Sequence, residues 1–263
     1  GVPTAIGEHV VEVQKLWQGI YNLPESFAVD GAQWDHLLRD GDTFAVGDLE
    51  CRVMFSPGHT LASVSYVIGD AAFVHDTLMM PDSGTSRADF PGGNARDLYR
   101  SIERILALPD ETRVFVGHDY GRGGRRPAWE STVRQQRETN IHLKGGTTEA
   151  EFVKLREARD AELPLPHLML AALQVNSRGG RLPEAEANGV AVVESSAVKN
   201  IVHDGSRHRR APDEWIWLPR PYGRTTGRRR GQQARMSVNR PARSSGVGSR
   251  QRTASPYCTP FWI

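Results

Sequence analysis

The sequence predicts an α/β fold of the α+β kind, in which helices cover a mixed sheet. Segments typical of strands come first and then alternate with amphipathic helical segments, an order that indicates such a sheet. Hydrophobic residues make up 38% of the 263 residues. No apolar run approaches the ~18 residues of a membrane span, so the composition excludes an integral membrane protein.

The first part of the chain predicts one helix and two hairpins. Residues 9–21 carry apolar side chains at helical spacing, namely Val10, Val13, Leu16, Trp17 and Ile20. Two strand pairs follow, each around a Gly-Asp turn that is typical of hairpins. The first pair is 44–46 with 49–55, and the second is 63–68 with 71–74.

The second part predicts three helices and one strand. Residues 95–108 form an amphipathic helix that Pro109 ends. A short apolar strand is predicted at 113–116. Two more helices are predicted near 128–140 and 148–160, and the spacing of Thr148 and Glu151 fits a capping box at the start of the second.

The net charge of +2 averages two unlike pieces. Residues 1–190 hold 19 Lys+Arg and 27 Asp+Glu, a net charge of −8. Residues 191–263 hold 14 and 4, a net charge of +10. The first piece is predicted to be the folded domain. The second lacks hydrophobic periodicity and is rich in Arg, Gly, Ser and Pro, a composition that predicts a disordered basic tail.

Three interpretations of this basic tail compete. A basic arm would neutralise the phosphates of nucleic acid, but the tail hardly interleaves aromatics with its Gly-Arg repeats, so nucleic acid is not the favoured partner. A functionless extension is the second interpretation. We favour the third, that residues 191–263 are not native coding sequence, because they hold one Lys against 13 Arg.

Three predicted strand ends each deliver a side chain that could bind metal. His59 follows the first long strand, Asp76 follows the fourth, and His118 follows the strand at 113–116. Alone, each His could be a surface residue, and the Asp a turn former or helix cap. Together, imidazole nitrogens and a carboxylate are what zinc or non-haem iron prefers, so the three predict a metal site.

Several motifs in this order resemble one superfamily. S-P-G-H-T at 56–60, H-D-T-L at 75–78 and F-V-G-H-D-Y at 115–120 resemble the metallo-β-lactamase fold. The segment G-T-S-R-A-D-F at 84–90, with L-Y-R-S-I at 98–102, is similar to the persulfide dioxygenase (sulfur dioxygenase) branch, which is related to glyoxalase II. The resemblance covers roughly residues 1–190.

The resemblance implies an αββα sandwich with the site at one edge of the sheets. It implies that His59 and Asp76 bind one Fe(II) together with a His from an H-x-H-x-D-H motif. His118 would be a ligand only in a dinuclear centre, as in the hydrolases. Arg87 would contact glutathione and Tyr120 would face the substrate at the reaction centre. An ion pair between Arg87 and Asp89 is an equally weighted alternative.

One departure from the family pattern limits these expectations. The sequence contains no H-x-H-x-D-H; the only His residues before His59 are His9 and His36. We therefore expect the domain to lack its first strands and one metal ligand, and to be impaired or inactive as given.

The expected function is that of a metalloenzyme that converts glutathione persulfide and O2 into sulfite and glutathione at one Fe(II). One alternative is a glyoxalase II-like thioesterase with two zinc ions, acting on another glutathione-linked substrate. A further alternative is a non-catalytic fragment with a basic arm. The sequence leaves a homodimer open. Only two cysteines, Cys51 and Cys258, and no visible signal peptide favour the cytoplasm.

Overall fold

The computed structural model of the chain describes residues 3–166 and 168–184. The predictions for residues 191–263, namely disorder and a basic arm, lie outside the described residues. Within the described ranges, no helix combines the length and apolar character needed to cross a bilayer.

A six-stranded mixed sheet forms the centre of the fold. Its strands lie in sequence order and are β3 (Thr43–Val46), β4 (Leu49–Phe55), β5 (Val64–Ile68), β6 (Ala71–Phe73), β7 (Arg113–Phe115) and β8 (Glu130–Thr132). All neighbours are antiparallel except β6 and β7, which are parallel. Two short parallel strands, β1 (Ala5–Gly7) and β2 (His36–Leu38), form a separate pair.

Five α-helices accompany the sheets. They are α1 (Val10–Tyr21), α2 (Ala95–Leu106), α3 (Val133–Thr139), α4 (Glu149–Asp160) and α5 (Met169–Asn176). Helix α2 is the crossover that joins parallel strands β6 and β7, as such a connection requires. Because Phe73 of β6 pairs with Phe115 of β7, the segments that follow these two strands leave the sheet at the same edge.

One face of the sheet is sealed by α2, α3 and α4. Leu98, Ile102 and Ile105 of α2 are fully buried at helical spacing. They pack with Val74 at the end of β6, Val114 of β7 and further apolar residues of the same core: Met54, Ala72, Leu78, Val133 and Phe152. This burial fixes the strand ends that carry the candidate site.

The opposite face of the sheet carries a row of aromatic side chains. Tyr66 pairs with Phe73 in the strand register, and its ring meets that of Phe44 edge-on with centroids 6.0 Å apart. Phe73 stacks on Phe115 with ring centroids 5.0 Å apart. Phe44 and Phe73 remain 37% and 41% exposed. This face is therefore rich in aromatic side chains and only partly covered by the described residues, and Arg113 lies on it with its guanidinium carbon 5.2 Å from the Phe115 ring centroid.

The structure confirms the α/β class and most predicted elements. Both hairpins, α1, α2, β7 and the capping box of Thr148 and Glu151 are present. The prediction of a helix from about 128 is wrong at its start. Residues 130–132 form β8 against β7, and the helix begins at Val133, where Thr132 and Gln135 make a second capping box. Strands β1 and β2 and helix α5 were not predicted.

Candidate metal site

The loop that carries His59 is clamped onto the start of α2. Gly58 has φ +132°, and a Cβ there would lie 2.2 Å from the backbone nitrogen of Leu98. The carbonyl of Gly58 accepts from Asn94 N at 2.8 Å, and Ser101 Oγ donates to the carbonyl of Pro57 at 2.7 Å. Gly58 thus allows close contact between the loop and α2, and this contact fixes the backbone position of His59.

His59 is buried and points one ring nitrogen at Asp76. Its side chain is turned so that Nδ1 lies 2.8 Å from the carbonyl of Arg87. A carbonyl can only accept, so Nδ1 carries the proton and Nε2 keeps its lone pair. Nε2 lies 3.9 Å from Oδ2 of Asp76. This arrangement, with the second nitrogen held by a backbone carbonyl, is typical of metal-binding histidines.

Asp76 and His118 form a close pair at the shared sheet edge. Nδ1 of His118 lies 2.6 Å from Oδ1 of Asp76. The approach depends on Gly117, where a Cβ would lie 2.8 Å from the same carboxylate oxygen. The strand order therefore brings His59 and His118 to the carboxylate of Asp76. Their positions at three strand ends predicted that these side chains would lie together.

Burial, hydrogen bonds and neighbouring charges shift the pKa values of all three residues of this cluster. Burial alone would raise the pKa of Asp76, but the hydrogen bond from His118 and the nearby His75, His59 and His118 rings lower it below its ordinary value. The hydrogen bond to Asp76 raises the pKa of His118, against the effect of burial. Burial lowers the pKa of His59, and the carboxylate of Asp76 only partly opposes that effect. Asp76 is thus an anion next to a neutral His59.

The guanidinium of Arg87 is hydrogen-bonded to other residues of the domain. Its guanidinium donates to both carboxylate oxygens of Asp89, at 2.6 and 2.7 Å, and to the carbonyl of Pro164 at 2.7 Å. It also lies over the ring of Phe90, 4.8 Å from the centroid, and its side chain is only 11% exposed. The ion pair with Asp89 is therefore present, and contact with glutathione stays a prediction.

Tyr120 lies at the rim of the site. Its ring stacks almost parallel on His118 with centroids 6.3 Å apart, and the residue is 79% exposed. Asp119 is turned inward, where Arg125 binds it and Asp82 together. This bridge fixes the backbone around Tyr120, so an exposed aromatic ring is presented from a rigid loop.

Sequence reasoning missed a buried polar network beside the site. His142, Arg156 and Asp160 are 5%, 1% and 4% exposed and all contact the segment Thr85–Ala88. The i,i+4 spacing of Arg156 and Asp160 on a helix was a visible signal. Such pairs are usually solvent-exposed, so the spacing alone could not indicate burial.

The donor atoms of His59 and Asp76 are of the kind that binds a metal ion. Two metal–ligand bonds of about 2.0–2.2 Å place their ligand atoms about 3.4 Å apart at a tetrahedral angle, so the 3.9 Å between Nε2 of His59 and Oδ2 of Asp76 would have to shorten on metal binding. Within residues 3–166 and 168–184, no group of three or more His, Cys, Asp or Glu has the arrangement of a complete metal site. The metal roles of His59, Asp76 and His118 therefore remain predictions.

Comparison with curated proteins places the chain in a family. No protein-family model matches it. It is 66% identical over 189 residues to the "Beta-lactamase hydrolase-like protein" of Xylella fastidiosa, a match that covers 72% of this chain and 43% of that protein. It is 50% identical over 200 residues to the "Probable metallo-hydrolase" of Burkholderia pseudomallei, covering 72% of this chain and 68% of that protein. The chain thus spans less than half the length of the first relative.

Two further relatives have names that specify a reaction class or enzyme group. "Glyoxylase B2" of Dictyostelium discoideum is 47% identical over 191 residues, covering 72% of this chain and 65% of that protein. Human mitochondrial persulfide dioxygenase is 34% identical over 155 residues, covering 58% and 57%. The crystal structure of ETHE1 from Myxococcus xanthus superposes with a TM-score of 0.51 at 36% identity, covering 56% of this chain and 62% of that one.

The fold and the edge site define a protein of the metallo-β-lactamase class. The relatives agree, and the chain belongs to the metallo-hydrolase family of the metallo-β-lactamase fold, a family of enzymes. The predicted superfamily is therefore confirmed.

Proposed function

We propose that the domain in this chain serves a persulfide dioxygenase reaction on glutathione persulfide. The persulfide anion, O2 and one water would give glutathione, sulfite and one proton. The outer sulfur is oxidised by four electrons that O2 accepts, and two oxygens of sulfite come from O2 and the third from water. The sulfur–sulfur bond breaks, and the inner sulfur leaves with a proton as glutathione.

The observation that carries this proposal is the His59–Asp76 pair, whose imidazole tautomer is set by the carbonyl of Arg87. The backbone acceptor, the carbonyl of Arg87, belongs to the same G-T-S-R-A-D-F segment that resembles the dioxygenase branch. The identity with the human dioxygenase supports the same class. Iron bound by His59 and Asp76 would supply the activation of O2.

The other residues of the site have roles that follow from their placement. Asp76 stays ionised because His118 donates to it, which keeps a negative oxygen facing His59. Tyr120 stands exposed at the rim, where its ring would contact the substrate. Arg87 would bind a glutathione carboxylate in a bidentate manner through Nε and Nη2 only by exchanging it for Asp89, because Asp89 already accepts from both of these nitrogens.

A second candidate function is hydrolysis of a glutathione thioester by two zinc ions. The observation that favours it is the position of His118, whose ring contacts the second oxygen of Asp76. A carboxylate shared in this way could bridge two metals, with His118 on one of them. The 47% identity with "Glyoxylase B2" supports this alternative.

One experiment separates the two candidates. The chain is loaded with Fe(II) or Zn(II), and O2 uptake and sulfite release with glutathione persulfide are compared with hydrolysis of a glutathione thioester. We expect weak O2 uptake with iron, because the sequence lacks the H-x-H-x-D-H histidines, and a loss of about tenfold or more in Asp76→Asn. Asp70→Asn, which changes an exposed partner of Arg113, is the control.

Two outcomes would contradict the proposal. The first is thioester hydrolysis with two bound zinc ions and no persulfide-dependent O2 uptake, which would favour the hydrolase. The second is O2 uptake that Asp76→Asn leaves unchanged, which would place the reaction away from this site.

A further inference from the structure

The segment Thr85–Ala88, between β6 and α2, contacts His59, and buried side chains hydrogen-bond to its backbone. Thr85 N donates to Nδ1 of His142 at 3.0 Å. The carbonyl of Thr85 accepts from Nη1 of Arg156 at 3.1 Å, and Ala88 N donates to Oδ2 of Asp160 at 2.9 Å. These bonds lie on both sides of Arg87, whose carbonyl accepts the hydrogen bond from Nδ1–H of His59.

The two charged members of this network form a buried ion pair on α4. Nε and Nη2 of Arg156 donate to Oδ1 of Asp160 at 3.0 and 2.7 Å, and the two side chains are 1% and 4% exposed. Desolvation makes a buried pair a poor source of stability, and apolar replacements of similar volume are often as stable. The pair's remaining donor and acceptor both go to the Thr85–Ala88 backbone, which indicates a role in placing that backbone.

The placement matters because of the geometry at His59. The carbonyl of Arg87 fixes which nitrogen of His59 carries the proton, and it orients Nε2 toward Asp76. A shift of this carbonyl would release the ring to its other tautomer, in which Nε2 is protonated and cannot bind a metal. The chain of contacts therefore runs from α4 through the backbone to the candidate ligand.

We propose that His142, Arg156 and Asp160 are positioning residues that hold the Arg87 carbonyl against His59 and so select its metal-binding tautomer. The proposal rests on the proposed metal role of His59, but it concerns a property of the metal-free protein. It assigns to three residues outside the site the task of presetting one ligand.

The primary test reads the tautomer of His59 directly in the metal-free full chain. Long-range ¹H–¹⁵N NMR of the imidazole rings distinguishes Nδ1–H from Nε2–H, and His59→Gln assigns the signals. The wild-type chain is expected to show one tautomer, Nδ1–H. The double variant Arg156→Met with Asp160→Leu replaces the ion pair by apolar side chains and is expected to show a mixture with Nε2–H.

A second pair of variants keeps the test decisive if the double variant does not fold. His142→Leu removes the acceptor for Thr85 N and is expected to give the same mixture. His142→Asn retains an acceptor at that place and is expected to restore the single tautomer. Co(II) titration of each chain, as the metal alone, should show affinity about 10–100-fold weaker only where the tautomer is mixed.

The matched control is Gln14→Leu. Gln14 is fully buried and hydrogen-bonded to Gly31 N, Gln33 and the carbonyl of Ser177, with no contact to Thr85–Ala88. It should lower stability without changing the tautomer. An unchanged tautomer in folded network variants would overturn the proposal, as would an equal change in the control. Absence of Co(II) binding in the wild type would count against the proposed function alone, because the tautomer is read without metal.

Discussion

At the scale of single residues, Asp76 is the most consequential side chain. It faces His59 with one oxygen and His118 with the other, and its hydrogen bond with His118, followed by its charge, raises the pKa of His118. The site therefore depends on the carboxylate of Asp76, which the three strand ends place next to His59 and His118.

Asp76→Asn should lower the pKa of His118 toward its ordinary value, because the charged acceptor of its hydrogen bond is lost. NMR titration of the His118 ring in the metal-free chain measures this change. Asp70→Asn serves as the control, since Asp70 pairs with Arg113 on the surface. A His118 pKa that is the same in Asp76→Asn and wild type would contradict the pairing.

His142 should make stability depend on pH. Burial, followed by the charges of Arg156, Arg159 and Arg122, lowers its pKa from 6.5 to about 4. As the pH falls through 6.5, the unfolded chain binds this proton before the folded chain does. The free energy of unfolding should therefore fall by about 3 kcal/mol between pH 6.5 and 4 from this residue.

Urea unfolding of wild type and His142→Asn across this pH range isolates the contribution of His142. The asparagine can still accept from Thr85 N but does not titrate. The difference in unfolding free energy between the two proteins should shrink as the pH falls from 6.5 to 4. A constant difference across the range would show that His142 titrates alike in the folded and unfolded states.

At the scale of elements, the loop–helix contact at Gly58 ties the His59 loop to α2. Gly58→Ala would strain φ and drive Cβ into the backbone of Leu98, whereas Gly47→Ala meets nothing within 4 Å at φ +62°. The Gly47 variant should lose about 1 kcal/mol and the Gly58 variant at least about 2 kcal/mol more, because only there must α2 move. Urea unfolding measures both values. Equal losses would mean that the contact with α2 is not restrictive.

The elements that sequence could predict are those with a local signal. Periodicity and Gly-Asp turns located α1, α2 and both hairpins, and Thr148 with Glu151 located the start of α4. Strand β8 lacked such a signal, because three residues between a proline-containing loop and a helix become a strand only by pairing with β7. The short strands β1 and β2 likewise exist through mutual pairing alone.

Local signals in the sequence also predicted the three residues of the candidate site, but they did not predict the buried network beside it. His59, Asp76 and His118 each follow a strand, so strand ends identified them before any contact was known. Their meeting at one carboxylate depends on the parallel register of β6 and β7. The network of His142, Arg156 and Asp160 joins residues more than 50 positions apart to the site loop, and no local pattern encodes such contacts.

At the scale of the whole molecule, the structure describes only residues of the acidic piece of the chain. The described residues lie within the predicted 1–190 domain and form a metallo-β-lactamase fold in which His59, Asp76 and His118 lie close together at a sheet edge. On its outer sheet face, Phe44 and Phe73 are each more than one third exposed.

Direct measurement of metal binding tests whether His59 and Asp76 are metal ligands. Calorimetric titration of the full chain with Fe(II) under exclusion of O2 should show one bound ion. His59→Ala and Asp76→Asn should each weaken its affinity at least about tenfold, while Asp70→Asn should leave it unchanged. Equal iron affinity in all four proteins, or no iron binding by the wild-type chain, would contradict the claim.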